Sequence, residues 1–287
     1  CRDEGMIDKH PFKKMLSEVE EVDGFDSLVI TLSHFNEDMT NRMVSNILCL
    51  PPRTTRSLSK IIYPKTKGSP LFLNQLIIQL CRDDLVRLSL SRRRWEWKEE
   101  KIRGAKLPDD IALFFASTIQ RLPKEVQGAL FTLSCFGAHS KSSIMVTLET
   151  KLDCPIIESL DKAVSEGLLN KVNDIYSFTH DWIQENSYNN TNMVALEDRC
   201  LLHFKYGISL APHALTAQDD ELLFVAASQI NHGGLAAVED VEQRIMVTNL
   251  NFSAGYRAME MSDYESAHSF FDQGINFLPK GHWNEHY

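Results

Sequence analysis

Apolar residues recur at helical spacing through the first third of the chain. The spacing over residues 37–50 predicts a helix. Its apolar positions are Met39, Met43, Ile47 and Leu50. The stretch "LPPRTTRS" ends this helix, and further helices are predicted up to about Thr66 and through "LFLNQLIIQLCRD". These elements predict a small helical domain over residues 36–83, preceded by a short buried strand at residues 26–32.

The period of the pattern changes after residue 83. Apolar and polar residues alternate from Val86 to Leu90 and again around Trp95 and Trp97, which predicts a β-hairpin. Three helix starts follow, and each is marked by a proline: Pro108, Pro123 and Pro155. "LLNKV" and "IYSF" flank Asn173-Asp174, a plausible two-residue hairpin turn. Helices followed by a short hairpin predict a winged-helix domain over residues 84–190.

From residue 195 onward the pattern is helical and contains no clear strand. Five positions match the spacing of a tetratricopeptide repeat, namely Gly255, Tyr264, Ala267, Phe271 and Pro279. In such a repeat the glycine allows two helices to approach closely. The alternative is an ordinary helical hairpin, which is physically almost the same structure.

Composition narrows the classes of protein. The 287 residues are 43% hydrophobic and carry a formal net charge of −9, so we expect two or three small globular domains and no nucleic-acid or membrane-surface partner. The helix predicted at 155–166 carries three acids and one lysine, which argues against DNA reading by a winged helix. Six scattered cysteines without a C-x-x-C pair are typical of reduced thiols, and we expect a cytoplasmic protein.

Few motifs in the sequence indicate a catalytic, metal-binding or nucleic-acid-binding site. "HWNEH" at residues 282–286 has the order of one class of zinc peptidases, but a solvated helix start is the favoured interpretation. "SRRRWEW" at 91–97 interleaves arginine and tryptophan, yet nearby glutamates favour a hairpin tip with solvated arginines and inward-packed tryptophans. No G-x-x-x-x-G-K-[ST] phosphate loop occurs in the chain.

The pair His180-Asp181 stands where a strand-like run gives way to a helix-like run. Asp181 is a candidate helix cap, with Gln184 at the capping-box position. A catalytic pair would need a third partner and a cleft. A phosphate contact is also sensible, because a helix N-terminus presents free N–H groups and the positive end of the helix dipole.

Taken together, these segments resemble the STAND class of signalling ATPases, relatives of AAA+ proteins labelled Orc1-like or AAA ATPase domains. The resemblance rests on "RDE…HPFKKML", "GSPLFLNQL", "LPDDIALFFASTIQRLP", "YSFTHDWIQENSY" and the segment "NLNFSAGYRAMEMSDYESAHSFFDQGINFLP…HWNEHY". The last segment is similar to the helical repeats after the ATPase in large hybrid proteins that join a serine/threonine kinase-like domain, an ATPase and often a sensor histidine kinase. The chain begins with Cys1 and stops inside a helix-like run, and we expect it to be part of such a longer protein.

The resemblance implies a mainly α fold with four parts. Residues 1–35 would end an α/β NTPase domain, and 36–83 would form its helical lid. Residues 84–190 would form the winged-helix domain with small β-hairpins, and 191–287 a TPR-like helical region.

The resemblance also implies a nucleotide site for ATP or ADP. Arg2 would be the sensor-1 arginine near the γ-phosphate. Pro70 would pack on the adenine, and Gly68 would allow the adenine to approach closely. His180 would contact the β-phosphate of ADP, and Asp181 would fix the local turn. Walker A, Walker B and the magnesium ligands would lie upstream, so the 287 residues alone are expected to hydrolyse nothing.

Partners would be other domains of the same polypeptide and proteins bound by the helical repeats. The alternatives are a protein-interaction scaffold without nucleotide binding, or part of a transcription regulator.

Overall fold

The chain folds into two compact units. The computed structural model describes residues 11–20, 30, 32–104, 111–189, 196–217, 219–238, 240–279 and 281. One unit spans Cys1–Ala105 and the other spans Lys106–Tyr287. The hairpin predicted after residue 83 therefore belongs to the first unit. The four predicted domains and their boundaries stay a prediction.

The first unit is helical with one small hairpin. Its described helices are α1 (Pro11–Glu20), α2 (Glu37–Leu48), α3 (Pro52–Thr66), α4 (Pro70–Arg82) and α5 (Glu99–Gly104), and its strands are β1 (Val86–Ser89) and β2 (Arg94–Trp97). The predicted helices over 36–83 are confirmed. The predicted strand at 26–32 lies almost entirely outside the described residues.

A buried asparagine of α2 connects this helix to α3 through hydrogen bonds. The Asn41 amide oxygen accepts hydrogen bonds from the hydroxyls of Thr55 at 2.8 Å and Ser59 at 2.9 Å. Its amide nitrogen donates to the carbonyl of Pro52 at 2.9 Å. All three polar side chains are buried, and their mutual hydrogen bonds remove most of the cost of that burial.

Strands β1 and β2 form the predicted hairpin. They are antiparallel, with Val86 opposite Trp97 and Leu88 opposite Trp95. Side chains alternate between the two faces of a strand, so these four side chains share one face. Both tryptophans are half-buried rather than packed fully inward, and Leu88 is 50% exposed.

The second unit is built from nine described α-helices, one 3-10 helix at Leu235–Ala237 and three short strands. Its helices are α6 (Ile111–Arg121), α7 (Lys124–Ser134), α8 (Ser142–Leu152), α9 (Ile156–Ser165), α10 (Asp181–Tyr188), α11 (Leu196–Ala217), α12 (Asp220–Gly233), α13 (Val241–Glu260) and α14 (Tyr264–Phe277). Its strands are β3 (His139–Lys141), β4 (Leu169–Val172) and β5 (Ile175–Phe178).

The three strands of this unit form one antiparallel sheet in the order β3-β5-β4. Between β4 and β5, Asn173 and Asp174 have φ values of +50° and +60°, as a tight two-residue hairpin turn requires. The predicted second hairpin is thus confirmed. Helix α7 precedes the sheet, α8 and α9 lie between β3 and β4 in sequence, and α10 follows β5 directly.

Four long helices complete the second unit as two antiparallel hairpins. Helix α11 packs along α12, and α13 packs along α14. At the α13–α14 contact the ring of Phe271 lies against Gly255, and Ala267 is buried. Helix α14 ends at Phe277, two residues before Pro279. The helical hairpin given as the alternative to a tetratricopeptide repeat is observed, and the repeat itself stays a prediction.

The protein is therefore mainly helical with a few small antiparallel strands, as the sequence predicts for its fold class. Among the described residues, no helix is both long enough and apolar enough to cross a membrane.

Candidate functional site

Gly68 and Pro70 lie together at the start of α4. Gly68 has a φ of +75°, and its carbonyl accepts a 2.8 Å hydrogen bond from the N–H of Phe35. A Cβ at Gly68 would lie 1.9 Å from the carbonyl oxygen of Phe35. Ser69 caps α4, with its hydroxyl accepting from the N–H of Phe72 at 3.4 Å, and Pro70 is the first helical residue. The glycine is thus required by close approach to the protein's own backbone.

His180 and Asp181 lie together at the start of α10, and the histidine is the cap. His180 is extended, with φ −163° and ψ 149°, and its Nδ1 accepts a 3.2 Å hydrogen bond from the N–H of Trp182. Asp181 is the first helical residue, where an acid interacts favourably with the helix dipole. The prediction that Asp181 caps the helix with Gln184 in a capping box is wrong. The cap lies one residue earlier, because a neutral imidazole Nδ1 offers an acceptor where capping side chains place an oxygen.

The turn before α10 is held by Thr179. Its hydroxyl donates to the carbonyl of Leu168 at 3.1 Å, and its N–H donates to the same carbonyl at 3.1 Å. These bonds tie the entry of α10 to the corner between α9 and β4. The part that the resemblance gives to Asp181 in this turn stays a prediction.

The five residues of the predicted nucleotide site are only partly placed. Arg2 lies outside the described residues. Gly68 and Pro70 belong to the first unit, and His180 and Asp181 belong to the second. The structure therefore brings each pair together at a helix start.

A cavity of about 760 Å³ lies in the second unit, and sequence reasoning missed it. The C-terminal turn of α7 forms one wall, and helices α10, α11 and α12 form the others. Asp181, Glu185 and Tyr188 of α10 line one side. His203 of α11 and Gln229 of α12 lie on the other.

A chain of hydrogen bonds runs through the wall of this cavity. Tyr188 Oη lies 3.1 Å from His203 Nε2, and His203 Nδ1 lies 2.7 Å from Gln229 Oε1. The Gln229 amide nitrogen donates to the carbonyl of Cys135 at 2.9 Å. Because that donation makes Oε1 an acceptor, His203 carries its proton on Nδ1 and accepts the tyrosine hydroxyl at Nε2. Four elements of the unit are joined by one directional chain.

Burial controls the protonation of this network. Burial lowers the pKa of His203, and the neighbouring His232 and Arg199 lower it further, while the hydrogen bond to Gln229 opposes the shift. Burial also raises the pKa of the Cys135 thiol to about 12. At neutral pH the imidazole is neutral and the thiol is protonated, so this cysteine is a poor nucleophile.

Arg199 packs against the same tyrosine. Its guanidinium carbon lies 4.9 Å from the centroid of the Tyr188 ring, and the ring of Phe131 stacks on Tyr188 with 6.0 Å between centroids. Arg199 is 6% exposed, and its Nη1 donates to the side-chain oxygen of Asn189 at 3.5 Å. A cation–π contact of this kind is worth more when the cation is desolvated, so Tyr188 anchors α10 against α7 and α11.

No group of three or more metal-ligating side chains occurs in the part of the chain that the structure describes. The "HWNEH" segment falls outside that part. The described site consists of two helix starts and a buried polar network.

The chain is similar to one curated signalling protein. That protein is hybrid signal transduction histidine kinase G of Dictyostelium discoideum, with 22% identity over 329 aligned positions that cover 93% of this chain. The chain spans about a tenth of that protein's length. No family model matches the chain, and no solved structure matches it significantly. The similarity shows no family for this chain, and it carries no information on an ATPase.

Proposed function

We propose that the chain is the regulatory segment of a STAND-type signalling ATPase, in which α10 closes on bound ADP. The observation that carries this proposal is the position of His180, whose imidazole sits on the N-terminus of α10. A neutral ring that accepts at Nδ1 carries its proton on Nε2. His180 therefore carries an imidazole N–H at the start of α10, and in the proposed closed state this N–H would turn to the β-phosphate.

Two further observations support this proposal. The order α7-β3-α8-α9-β4-β5, with β5 in the middle of the sheet, is the order that a winged-helix domain would have. The similar histidine kinase is a signalling protein, and the sequence resembles the hybrid proteins of that kind. Gly68 and Pro70 would meet the adenine, and a phosphate loop with its magnesium would be supplied by a segment outside these 287 residues.

A hydrogen bond from His180 to the nucleotide would supply only part of the free energy that such a switch needs. A switch that moves from 1:99 to 99:1 needs nucleotides to favour opposite states by about 10⁴-fold, roughly 5.5 kcal/mol. One hydrogen bond to a charged group supplies roughly 1.5–3 kcal/mol. The phosphate loop would supply the remainder, and the helical region after residue 195 would pass the change to partners.

The test separates capping from phosphate binding in the longer protein that contains this chain and the segment before it. His180→Ala removes both the cap and the imidazole Nε2–H, whereas His180→Ser keeps a capping acceptor and replaces the imidazole N–H by a shorter hydroxyl. We expect both variants to weaken ADP binding about 10- to 100-fold by calorimetry, since roughly 1.5–3 kcal/mol is lost. Only His180→Ala should also lower the free energy of unfolding, by about 0.5–2 kcal/mol.

Two results would overturn the proposal. One is an ADP affinity of His180→Ser equal to that of the unchanged protein. The other is a coding sequence upstream of Cys1 that contains no G-x-x-x-x-G-K-[ST] loop. Turnover of ATP by the 287-residue chain alone would contradict the expectation that the catalytic loops lie elsewhere.

A second candidate function is a protein-interaction scaffold, and one observation favours it. The α13–α14 hairpin exposes large apolar side chains. They are Tyr256, Met259, Met261, Tyr264 and Ile275. A pure scaffold predicts that His180→Ala alters stability slightly and leaves nucleotide affinity unchanged, so the same two variants decide between the candidates.

A further inference from the structure

The β1–β2 hairpin concentrates positive charge in a chain whose net charge is −9. A pocket of about 520 Å³ opens beside it within the first unit. The charged residues that line it are Arg87, Arg92, Arg94, Lys98, Asp84 and Glu96. Four cations against two carboxylates leave an excess of two positive charges in the wall of one pocket.

Three of the cations converge on a single carboxylate. Arg92 Nη1 lies 3.1 Å from Glu96 Oε1, Arg94 Nε lies 3.6 Å from the same oxygen, and Arg87 Nη2 lies 3.7 Å from Oε2. The Glu96 side chain is 24% exposed, whereas those of the arginines are 50–65% exposed. One negative charge offsets only one of three guanidinium charges, so their mutual repulsion persists. A second anion placed between them would relieve it.

Lys98 completes the arrangement on the other side of Asp84. Its Nζ lies 3.1 Å from the Asp84 carboxylate, which Arg87 also contacts at 3.4 Å. The hydrogen bond and charge of Lys98 hold the pKa of Asp84 below its usual value, with Arg87 adding to the effect. Asp84 is therefore ionised at neutral pH and is engaged by Lys98 and Arg87, and the excess positive charge of the pocket wall remains.

The donors of this pocket match a phosphate group. Each guanidinium has five N–H donors, far more than the two oxygens of Glu96 can accept. A phosphate monoester on a side chain carries about −1.5 to −2 charge and three strong acceptor oxygens, which equals the excess charge of the pocket wall. Arginine forks bind such oxygens in pairs. We propose that this pocket binds a phosphorylated serine or threonine side chain of a peptide segment.

The apolar part of the lining favours a peptide over a free phosphate ion. Leu50 and Leu85 line the same pocket as the cations, and both are half-buried. These side chains offer apolar contact area to the residues that flank a phosphorylated side chain, and an isolated ion would leave that area in water. A long nucleic acid would meet the net negative charge of the rest of the chain, which a single phosphate on a short peptide avoids.

The experiment measures binding of a fluorescent peptide to the 287-residue chain by anisotropy. The peptide carries one phosphoserine between apolar residues, and its unphosphorylated twin is the reference. We expect the phosphorylated form to bind at least about tenfold more tightly, in line with charge-assisted hydrogen bonds of roughly 1.5–3 kcal/mol. Inorganic phosphate should displace it only at much higher concentration.

Three single substitutions on the hairpin sharpen the test. Arg92→Gln should weaken binding about three- to tenfold, a loss reduced by the exposure of the side chain. Glu96→Gln should tighten it several-fold, because it removes the competing carboxylate. Arg93→Gln is the matched control, since it removes the same charge from the hairpin tip but does not line the pocket. Unfolding midpoints of Arg92→Gln and Arg93→Gln should agree with that of the original protein, because both side chains are exposed.

Several results would overturn the proposal. Equal affinity for the two peptides would remove the phosphate from the interaction. Equal losses in Arg92→Gln and Arg93→Gln would indicate general charge attraction, and weaker binding by Glu96→Gln would show that the carboxylate organises the hairpin instead. A short single-stranded RNA that displaces the peptide more effectively than inorganic phosphate does at equal phosphate concentration would identify a nucleic-acid surface. None of these results depends on the nucleotide proposal for α10.

Discussion

His203 and Gln229 are hydrogen-bonded in the interior of the second unit, with 2.7 Å between Nδ1 of the imidazole and Oε1 of the amide. The two residues lie on neighbouring helices, α11 and α12, and both are about 95% buried. Their bond continues to Tyr188 of α10 on one side and to the carbonyl of Cys135 on the other. The polar groups of this network thus join α10, whose N-cap is His180, to the hairpin formed by α11 and α12.

The coupling between His203 and Gln229 is measurable by a double-mutant cycle. His203→Ala leaves the buried Gln229 oxygen unpaired, and Gln229→Ala leaves the imidazole N–H unpaired. We expect each single change to lower the free energy of unfolding by about 2–4 kcal/mol, and the pair to be non-additive by about 1–2 kcal/mol. Urea unfolding gives these values. His268→Ala, on the exposed face of α14, is the control and should cost less than about 0.5 kcal/mol; additive losses at the two buried sites would contradict the coupling.

The same histidine predicts a loss of stability on acidification. Its pKa in the folded protein is below the ordinary value of 6.5, mainly because of burial, so the unfolded chain binds the proton more readily. Its contribution to stability is complete above the unfolded pKa and is lost as pH falls from about 6.5 through the folded pKa. Unfolding free energies measured at pH 7.5, 6.5 and 5.5 should fall in that order.

The comparison with His203→Gln isolates this group from the other histidines. Glutamine keeps a polar side chain at this position but does not titrate. The difference in unfolding free energy between the original protein and this variant should shrink as the pH falls. A constant difference across the range would show that His203 does not titrate differently in the folded and unfolded states.

Local patterns predict the elements of this protein well, for physical reasons visible in particular residues. The turn at Asn173-Asp174 is readable because few residue types tolerate positive φ at two consecutive positions. The start of α7 is readable because proline, here Pro123, is favoured at the beginning of a helix. Each of these signals lies within a few residues of the feature that it determines.

The network around the cavity has no such local signal. His203 and Gln229 are separated by 26 positions, and Gln229 and Cys135 by 94. Their partners are set by how the helices pack. The cap at His180 has no local signal for a related reason, because the sequence does not show which side chain turns toward the first N–H groups of α10.

Gly68 gives a stability prediction for the first unit. An alanine there would place its Cβ 1.9 Å from the Phe35 oxygen and would have to adopt a φ of +75°. We expect Gly68→Ala to lower the free energy of unfolding by at least about 2 kcal/mol, since backbone cannot yield as a flexible side chain does. The measurement is urea or thermal unfolding of the purified chain.

Gly104 is the matched control for that change. Nothing lies within 4 Å of a Cβ at this helical glycine, and its φ is not positive. Gly104→Ala should leave stability unchanged or raise it by about 0.4–1 kcal/mol, because alanine restricts the unfolded chain. Similar losses in the two variants would show that the Phe35–Gly68 contact does not determine the requirement for glycine.

The α13–α14 hairpin gives the last prediction, through the contact between Gly255 and Phe271. A Cβ at Gly255 would lie 2.6 Å from the Phe271 ring, so Gly255→Ala must displace that ring or separate the helices. We expect a loss of about 1–3 kcal/mol in unfolding free energy, as for other overpacked contacts.

Phe271→Leu alone should also be destabilising, because it removes aromatic contacts with Phe252 and Tyr256. The double variant should then lose less than the sum of the two single losses, since the smaller leucine makes room for the alanine methyl group. Strict additivity would mean that the two helices are not held at this distance by the glycine, and the repeat-like spacing of these positions would then have no role in packing.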